Sequence, residues 1–167
     1  MACGVTPLVK TDQLNLLIED NKQIFKTLKA HLNFMKNDIT ESIEKNPCEP
    51  ETRVKKTVHR TFTQKFREVL RTSQTVQTEF KNAVQERIKR QIAVIRPNMS
   101  DEELNEIAAD PEAAKELMEK TIMGQAHSKM KNTVSDIQEK YAAILKLEQS
   151  VNELFELFQE LAQLVQA

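Results

Sequence analysis

The sequence predicts an all-α protein, an up-and-down bundle of long antiparallel helices. Turn residues are scarce, because the 167 residues include only two glycines and five prolines. Tight turns need such residues, so their scarcity indicates few and long elements. Apolar residues recur at steps of three, four and seven along most of the chain, which is the helical period. Charged residues make up 29%, as expected for amphipathic helices with one solvated face.

The first half of the chain predicts two long bundle helices, over residues 11–46 and 52–96. Residues 1–10 are interpreted as a lead-in or as the remnant of a preceding helix. Pro47 ends the first helix, because the residue before a proline is disfavoured in helical geometry. The second helix has no breaker for about forty residues, or roughly 60 Å, until Pro97. Its apolar stripe predicts a bundle core at Phe62, Phe66, Val69, Val76 and Phe80.

Residues 97–124 are predicted to be an acidic linker with short helices. Residues 100–103 (Ser-Asp-Glu-Glu) have the spacing of a capping box, and Pro111 suits the first turn of the next helix. Gly124 marks a break, and residues 125–167 are predicted to form one last helix. Its apolar residues follow a heptad spacing with one irregularity near Ile144, as in helices that pair with other helices.

The net charge of −1 hides a strong asymmetry. Residues 53–90 hold eleven Lys and Arg against three acids, a balance of +8. Residues 99–167 hold fourteen acids against six Lys, a balance of −8. Three interpretations of the basic helix stay open: a solvated face, a docking face for the acidic last segment, or a surface for nucleic acid or anionic membrane.

The sequence argues against an enzyme and against a bound cofactor or metal ion. Two glycines cannot form a phosphate-binding loop. None of His31, His59 and His127 has a carboxylate or a second histidine four residues away, the spacing that places two ligands on one helix face. We expect His31 and His59 to be exposed. The chain also has no apolar run of about 18 residues that could span a bilayer.

The second predicted helix resembles the third helix of the regulatory bundle of syntaxins. The resemblance is carried by the stretch from His59 to Phe66, by residues 77–81 (Gln-Thr-Glu-Phe-Lys) and by residues 87–91 (Arg-Ile-Lys-Arg-Gln). The last helix is similar to the first half of the SNARE motif of plasma-membrane-type syntaxins (Qa-SNAREs). Here the matching sequence is at residues 145–148, 153–154, 157–158 and 164–165.

This resemblance implies a target-membrane SNARE that acts in vesicle docking, membrane fusion and exocytosis. The implied partners are a vesicle R-SNARE, SNAP-type light chains and regulators of the Sec/Munc type. The implied location is the cytoplasmic face of a membrane, the plasma membrane above all, with a C-terminal anchor beyond this chain. The implied regulation is folding of the SNARE helix onto its own helical bundle. The residues that would form layers with partner helices are Ile144, Leu147, Val151, Leu154, Phe158, Leu161 and Val165.

The chain departs from the family pattern at both ends. Residues 11–46 correspond to the middle helix of the regulatory bundle, so the first helix is missing or reduced to residues 1–10. The last helix stops at Ala167, before the glutamine of the family's central layer. We therefore interpret the chain as an internal piece of a longer protein. Two helices and a tail leave apolar surface open, so we expect self-association, with exchange of long helices between chains as one route.

Two other functions stay open from the sequence. A coiled-coil tethering or scaffold protein without a fusion role would show a continuous heptad pattern, and the breaks at Pro47, Pro97 and Gly124 argue against it. A basic bundle that binds nucleic acid would need aromatic residues for base stacking, whereas the phenylalanines fall on the apolar stripe.

Overall fold

A computed structural model describes the backbone of residues 8–124 and 128–165, and the side chains of 12–117, 119–120 and 132–162. Every element in these ranges is a helix, as predicted, and long helices pack against each other. The helices are α1 (Leu8–Lys45), α2 (Pro50–Ile95), α3 (Asp101–Ala109), α4 (Pro111–Gly124) and α5 (Ser128–Val165).

The helix ends follow local chemistry. Pro50 and Pro111 stand at the first position of α2 and α4, where the missing N–H costs no hydrogen bond. The predicted capping box opens α3, since the Ser100 hydroxyl accepts from the N–H of Glu103 at 3.2 Å and the Glu103 carboxylate accepts from the N–H of Ser100 at 2.9 Å. Asp110 accepts in the same way from the N–H of Glu112, at 2.9 Å.

The chain divides into two compact units that do not follow the order of the helices. Unit 1 takes the described residues of Met1–Leu16 and Thr78–Gln149, and unit 2 takes those of Leu17–Gln77 and Ser150–Ala167. Unit 1 therefore holds the end of α2, the short helices and most of α5. Unit 2 holds most of α1, the first part of α2 and the last part of α5.

The core of unit 1 is built from α5 and three helices around it, α2, α3 and α4. Tyr141 and Ile144 are buried there together with Ile88 and Ile92 of α2. The short helices α3 and α4 complete this core with leucine and alanine side chains. Because alanine is small, both helices must lie close to α5 to fill the core. The buried members of the cluster are Ile88, Ile92, Leu104, Ala108, Ala114, Val134, Ile137, Tyr141 and Ile144.

The core of unit 2 lies between α1, α2 and α5. The ring centroids of Phe25 and Phe66 lie 5.9 Å apart. At this distance an aromatic pair stabilises the fold by more than the burial of its apolar area alone. Lys55 meets Asp38 at 3.1 Å. From the first contact to the second, the residue number rises on α1 and falls on α2. The two helices are therefore antiparallel in this unit. The buried residues are Phe25, Leu32, Phe66, Leu70, Leu154 and Leu161.

Of the five residues predicted to form a bundle core on α2, Phe66 is buried in unit 2. Phe62, Val69, Val76 and Phe80 are exposed. The exposed apolar residues and the covered residues lie on different faces of α2. The four exposed residues are rotated by roughly 90° about the helix axis from the row that α1 and α5 cover. That covered row on α2 is His59, Thr63, Phe66, Leu70 and Gln77.

His59 was predicted to be exposed, and this prediction was wrong. Its ring is buried, and Nε2 lies 3.2 Å from the carbonyl oxygen of Leu32 on α1. The imidazole fits the core because this backbone atom gives it a hydrogen-bond partner. His31 is exposed, as expected, and His127 lies outside the described residues.

The covered and exposed faces of α2 differ in their importance for stability, and two residues near its C-terminal end test this. Ile92 is 0% exposed and Val94 is 82% exposed. We predict that Ile92→Ala lowers the free energy of unfolding by about 2–5 kcal/mol, because it leaves a cavity in the core. Val94→Ala should change it by less than about 0.5 kcal/mol. Urea unfolding, monitored by circular dichroism, measures both changes. Equal losses of unfolding free energy in the two variants would contradict the assignment of the core.

Candidate site for helix pairing

The layer residues of α5 are the candidate site, and the structure describes six of the seven side chains. In unit 1, Ile144 and Leu147 are buried. In unit 2, Leu154 and Leu161 are buried, while Val151 and Phe158 are half-buried. The side chain of Val165 lies outside the described residues. The apolar stripe of α5 is therefore covered by other parts of the same chain.

A polar network fixes how α5 lies against α2 in unit 1. The amide of Gln91 donates to the carboxylate of Asp136 at 2.6 Å, and Lys140 donates to the Gln91 oxygen at 2.9 Å and also to Asp136. Burial alone would raise the pKa of Asp136, but hydrogen bonds from Lys140 and Gln91, with the positive charges of Lys140 and Arg87, hold this pKa below its ordinary value. The carboxylate is thus ionised and paired.

The only tyrosine of the chain ties α5 to the first short helix. The Tyr141 hydroxyl donates to the carbonyl oxygen of Ile107 at 2.7 Å. Burial raises the pKa of this hydroxyl, and the negative charge of Asp110 adds to the effect. Tyr141 therefore stays neutral and keeps its proton as a donor. The linker helices take part in covering α5, which the sequence did not predict.

The opposite charges of α2 and the acidic segments meet directly in unit 1. Lys81 pairs with Glu148 of α5 at 2.7 Å, and Lys89 lies 3.7 Å from Asp101 of α3. These contacts support the docking interpretation of the basic helix. The solvated interpretation also applies to part of it, since other basic residues of α2 point outward: Arg53, Lys56, Arg60, Lys65, Arg71, Arg87 and Arg90.

In unit 2 a row of lysines on α1 faces a row of glutamates on α5. Lys22 donates to Glu153 at 2.8 Å, and Lys29 pairs with Glu160. Both pairs are 131 positions apart, so the two helices run in the same direction here. Lys26 and Glu156 line an open cleft of about 520 Å³ between the rows. Ion pairs therefore stabilise the outer edge of the contact between α1 and α5, and this edge is accessible to solvent.

Arg67 of α2 attaches the end of α5 in unit 2. Its guanidinium lies 5.8 Å from the centre of the Phe158 ring, within the range of a cation–π contact. The same group donates to the carbonyl oxygen of Leu161 at 3.2 Å. Its Nε is buried without a hydrogen-bond partner among the described residues. The two contacts of Arg67 with Phe158 and Leu161 hold this part of α5 against α2.

Sequence reasoning missed most of these contacts. The lysine row was visible as residues 22, 26 and 29, which share one helix face, and the glutamate row at 153, 156 and 160 has the same seven-residue span. Arg67, Gln91 and Tyr141 gave no comparable signal, because each contact depends on which helices lie next to each other.

The pairing of Asp136 predicts a specific response to acid. A carboxylate whose pKa is lower in the folded state stabilises the fold above the pKa of the unfolded chain, and this contribution is lost as pH falls through the folded value. We predict that wild-type stability falls more steeply below about pH 4 than that of Asp136→Asn. Lys140→Met should flatten the profile in the same way. Thermal unfolding between about pH 6 and 3 measures this, and parallel profiles for all three proteins would contradict it.

Two structural features are absent from the described residues. No group of three or more His, Cys, Asp or Glu side chains in these ranges could hold a metal ion. Among the same residues, no helix combines the length and the apolar character that a bilayer crossing requires.

Comparison with known families agrees with this architecture. A model of the family described as Syntaxin matches residues 9–122. The match covers most of the chain, from α1 through most of α4, and stops before α5. It confirms the resemblance noted for the first two helices. The chain therefore belongs to the syntaxin family, and this membership implies a SNARE-type role in vesicle fusion, association with membranes and SNARE partners, without enzymatic activity.

Proposed function

We propose that α5 carries the N-terminal half of a SNARE motif and that its packing onto α1–α4 regulates when it can bind partner SNAREs. In this proposal the layer residues have two alternative surroundings, the chain's own helices or the partner helices. The same side chains cannot be buried in both, so the packed form competes with assembly.

The observation that carries the proposal is the burial of the layer residues. Ile144, Leu147, Leu154 and Leu161 are each at most 4% exposed. Burial of one such side chain stabilises by about 1.5–3 kcal/mol. Four of them together outweigh the contribution of the exposed ion pairs along the edges, which is small in water. We infer that apolar burial holds α5 and that the charges select its position.

The sequence of α5 supports a finer assignment. Its likeness to plasma-membrane syntaxins supports action on the cytoplasmic face of the plasma membrane, in exocytosis. It also supports a vesicle R-SNARE and SNAP-type light chains as the partner helices, with Sec/Munc-type regulators acting on the packed form. A tethering coiled coil would use its apolar stripe permanently, and a stripe covered by helices of its own chain does not favour that function.

Reversing the lysine row on α1 should release α5 without touching a layer residue. We predict that Lys22→Glu with Lys29→Glu speeds binding of partner motifs several-fold, because both new carboxylates face Glu153 and Glu160. The effect should be larger at low salt, since these groups are partly exposed. The measurement is fluorescence anisotropy of labelled SNARE motifs from an R-SNARE and a SNAP-type light chain.

The control is Lys45→Glu, which makes one such charge reversal elsewhere on α1 and removes a local pair with Glu41. It should bind at the wild-type rate. If the double variant binds no faster than wild type, or if Lys45→Glu accelerates binding equally, then packing of α5 onto α1 does not control assembly.

A further inference from the structure

A small polar cavity interrupts the apolar core of unit 2. It lies between α1, α2 and α5 and has a volume of about 10 Å³. Phe25 and Leu154, two buried members of the core, line it. Two buried polar side chains also line it, Gln77 of α2 and Ser150 of α5. The packing of α5 in this unit therefore includes one layer that is not apolar.

The side chain of Gln77 has an atom that the protein leaves without a partner. Gln77 is only 8% exposed. Its amide nitrogen Nε2 donates to the hydroxyl of Ser73 on the same helix at 3.3 Å. Its amide oxygen Oε1 is buried and has no hydrogen-bond partner among the described residues. Buried polar atoms in folded proteins are nearly always bonded to protein or to an ordered water. The oxygen of Gln77 therefore indicates a bound water molecule.

The cavity meets the requirements of one water molecule. Its volume is close to the roughly 10–15 Å³ that a bound water needs, and such a water also needs about two to four polar partners. The Gln77 oxygen and the Ser150 hydroxyl supply two of them, and the amide of Asn21 also lines the cavity. Lys22 and Glu153, which form an ion pair at 2.8 Å, line it as well.

These two polar residues belong to the packed form of α5. Gln77 lies on α2, outside the helix that pairs with partner SNAREs in the proposed function. Ser150 lies on α5 but is not one of the layer residues. A polar residue inside an apolar seam fixes the register of the helices and lowers their stability. Such a layer in the packed form favours the competing partner-bound form.

We propose that Gln77 and Ser150 bind one water molecule in this cavity, and that this hydrated layer makes α5 easier to release from α1 and α2. The water accepts and donates hydrogen bonds in the middle of the helix contact, where an apolar side chain would pack directly. This inference rests on the proposed function, because it names a feature that controls how readily α5 becomes available to partner SNAREs.

The test replaces Gln77 by apolar side chains of similar size. We predict that Gln77→Met raises the urea concentration at the midpoint of unfolding and slows binding of labelled partner motifs by about tenfold. Gln77→Leu has a different shape and should act in the same direction. Fluorescence anisotropy measures the binding rate. In the wild type, water–protein cross-relaxation in nuclear magnetic resonance should detect a long-lived water beside the Gln77 amide.

The matched control is Gln64→Met, the same substitution at an exposed position of α2. It should leave both the midpoint and the binding rate unchanged. The proposal is overturned if both Gln77 variants bind partner motifs as fast as wild type, or if no long-lived water is detected at Gln77. Failure of the proposed function is distinguishable, because Lys22→Glu with Lys29→Glu would then bind no faster than wild type.

Discussion

The structure depends on the burial of the apolar stripe of α5 against helices of its own chain. In unit 1 this stripe completes a core that α2 and the two short helices could not form alone. In unit 2, Leu154 and Leu161 fill the groove between α1 and α2. Because apolar burial is the largest favourable term, the positions of the linker helices, the ion pairs and the tyrosine hydrogen bond all follow from where α5 lies.

The polar contacts around α5 have a different role from the apolar ones. Apolar packing tolerates a shift of one helix along another, whereas the network of Gln91, Asp136 and Lys140 has one arrangement in which each hydrogen bond is made. The Tyr141 hydroxyl and the Arg67 guanidinium likewise reach single backbone oxygens. These contacts select one register for α5. In the proposed function, α5 leaves these contacts when its apolar stripe is buried against partner helices instead.

Much of the fold could be predicted from the sequence, because local signals determine helices. Prolines and the capping box at Ser100 mark the helix ends, and apolar spacing marks the helices themselves. The division of α2 into a covered row and an open row could not be predicted. Phe62 and Phe66 are both apolar and one turn apart, and only the positions of α1 and α5 decide which of them is buried. Leu70 was missed for the same reason, since it adjoins Val69 in sequence but faces the core.

The central claim is that α5 must leave its own helices before it can bind partner SNAREs. A short bis-maleimide joining Lys81→Cys to Glu148→Cys, with Cys3→Ser and Cys48→Ser, would hold α5 on α2 where these side chains meet at 2.7 Å. Joining Glu41→Cys to Lys45→Cys within α1 is the matched control. Binding of labelled partner motifs to each bridged protein is then measured. The account predicts that the first bridge lowers binding more than tenfold and that the control does not. Equal binding with and without the first bridge would contradict it.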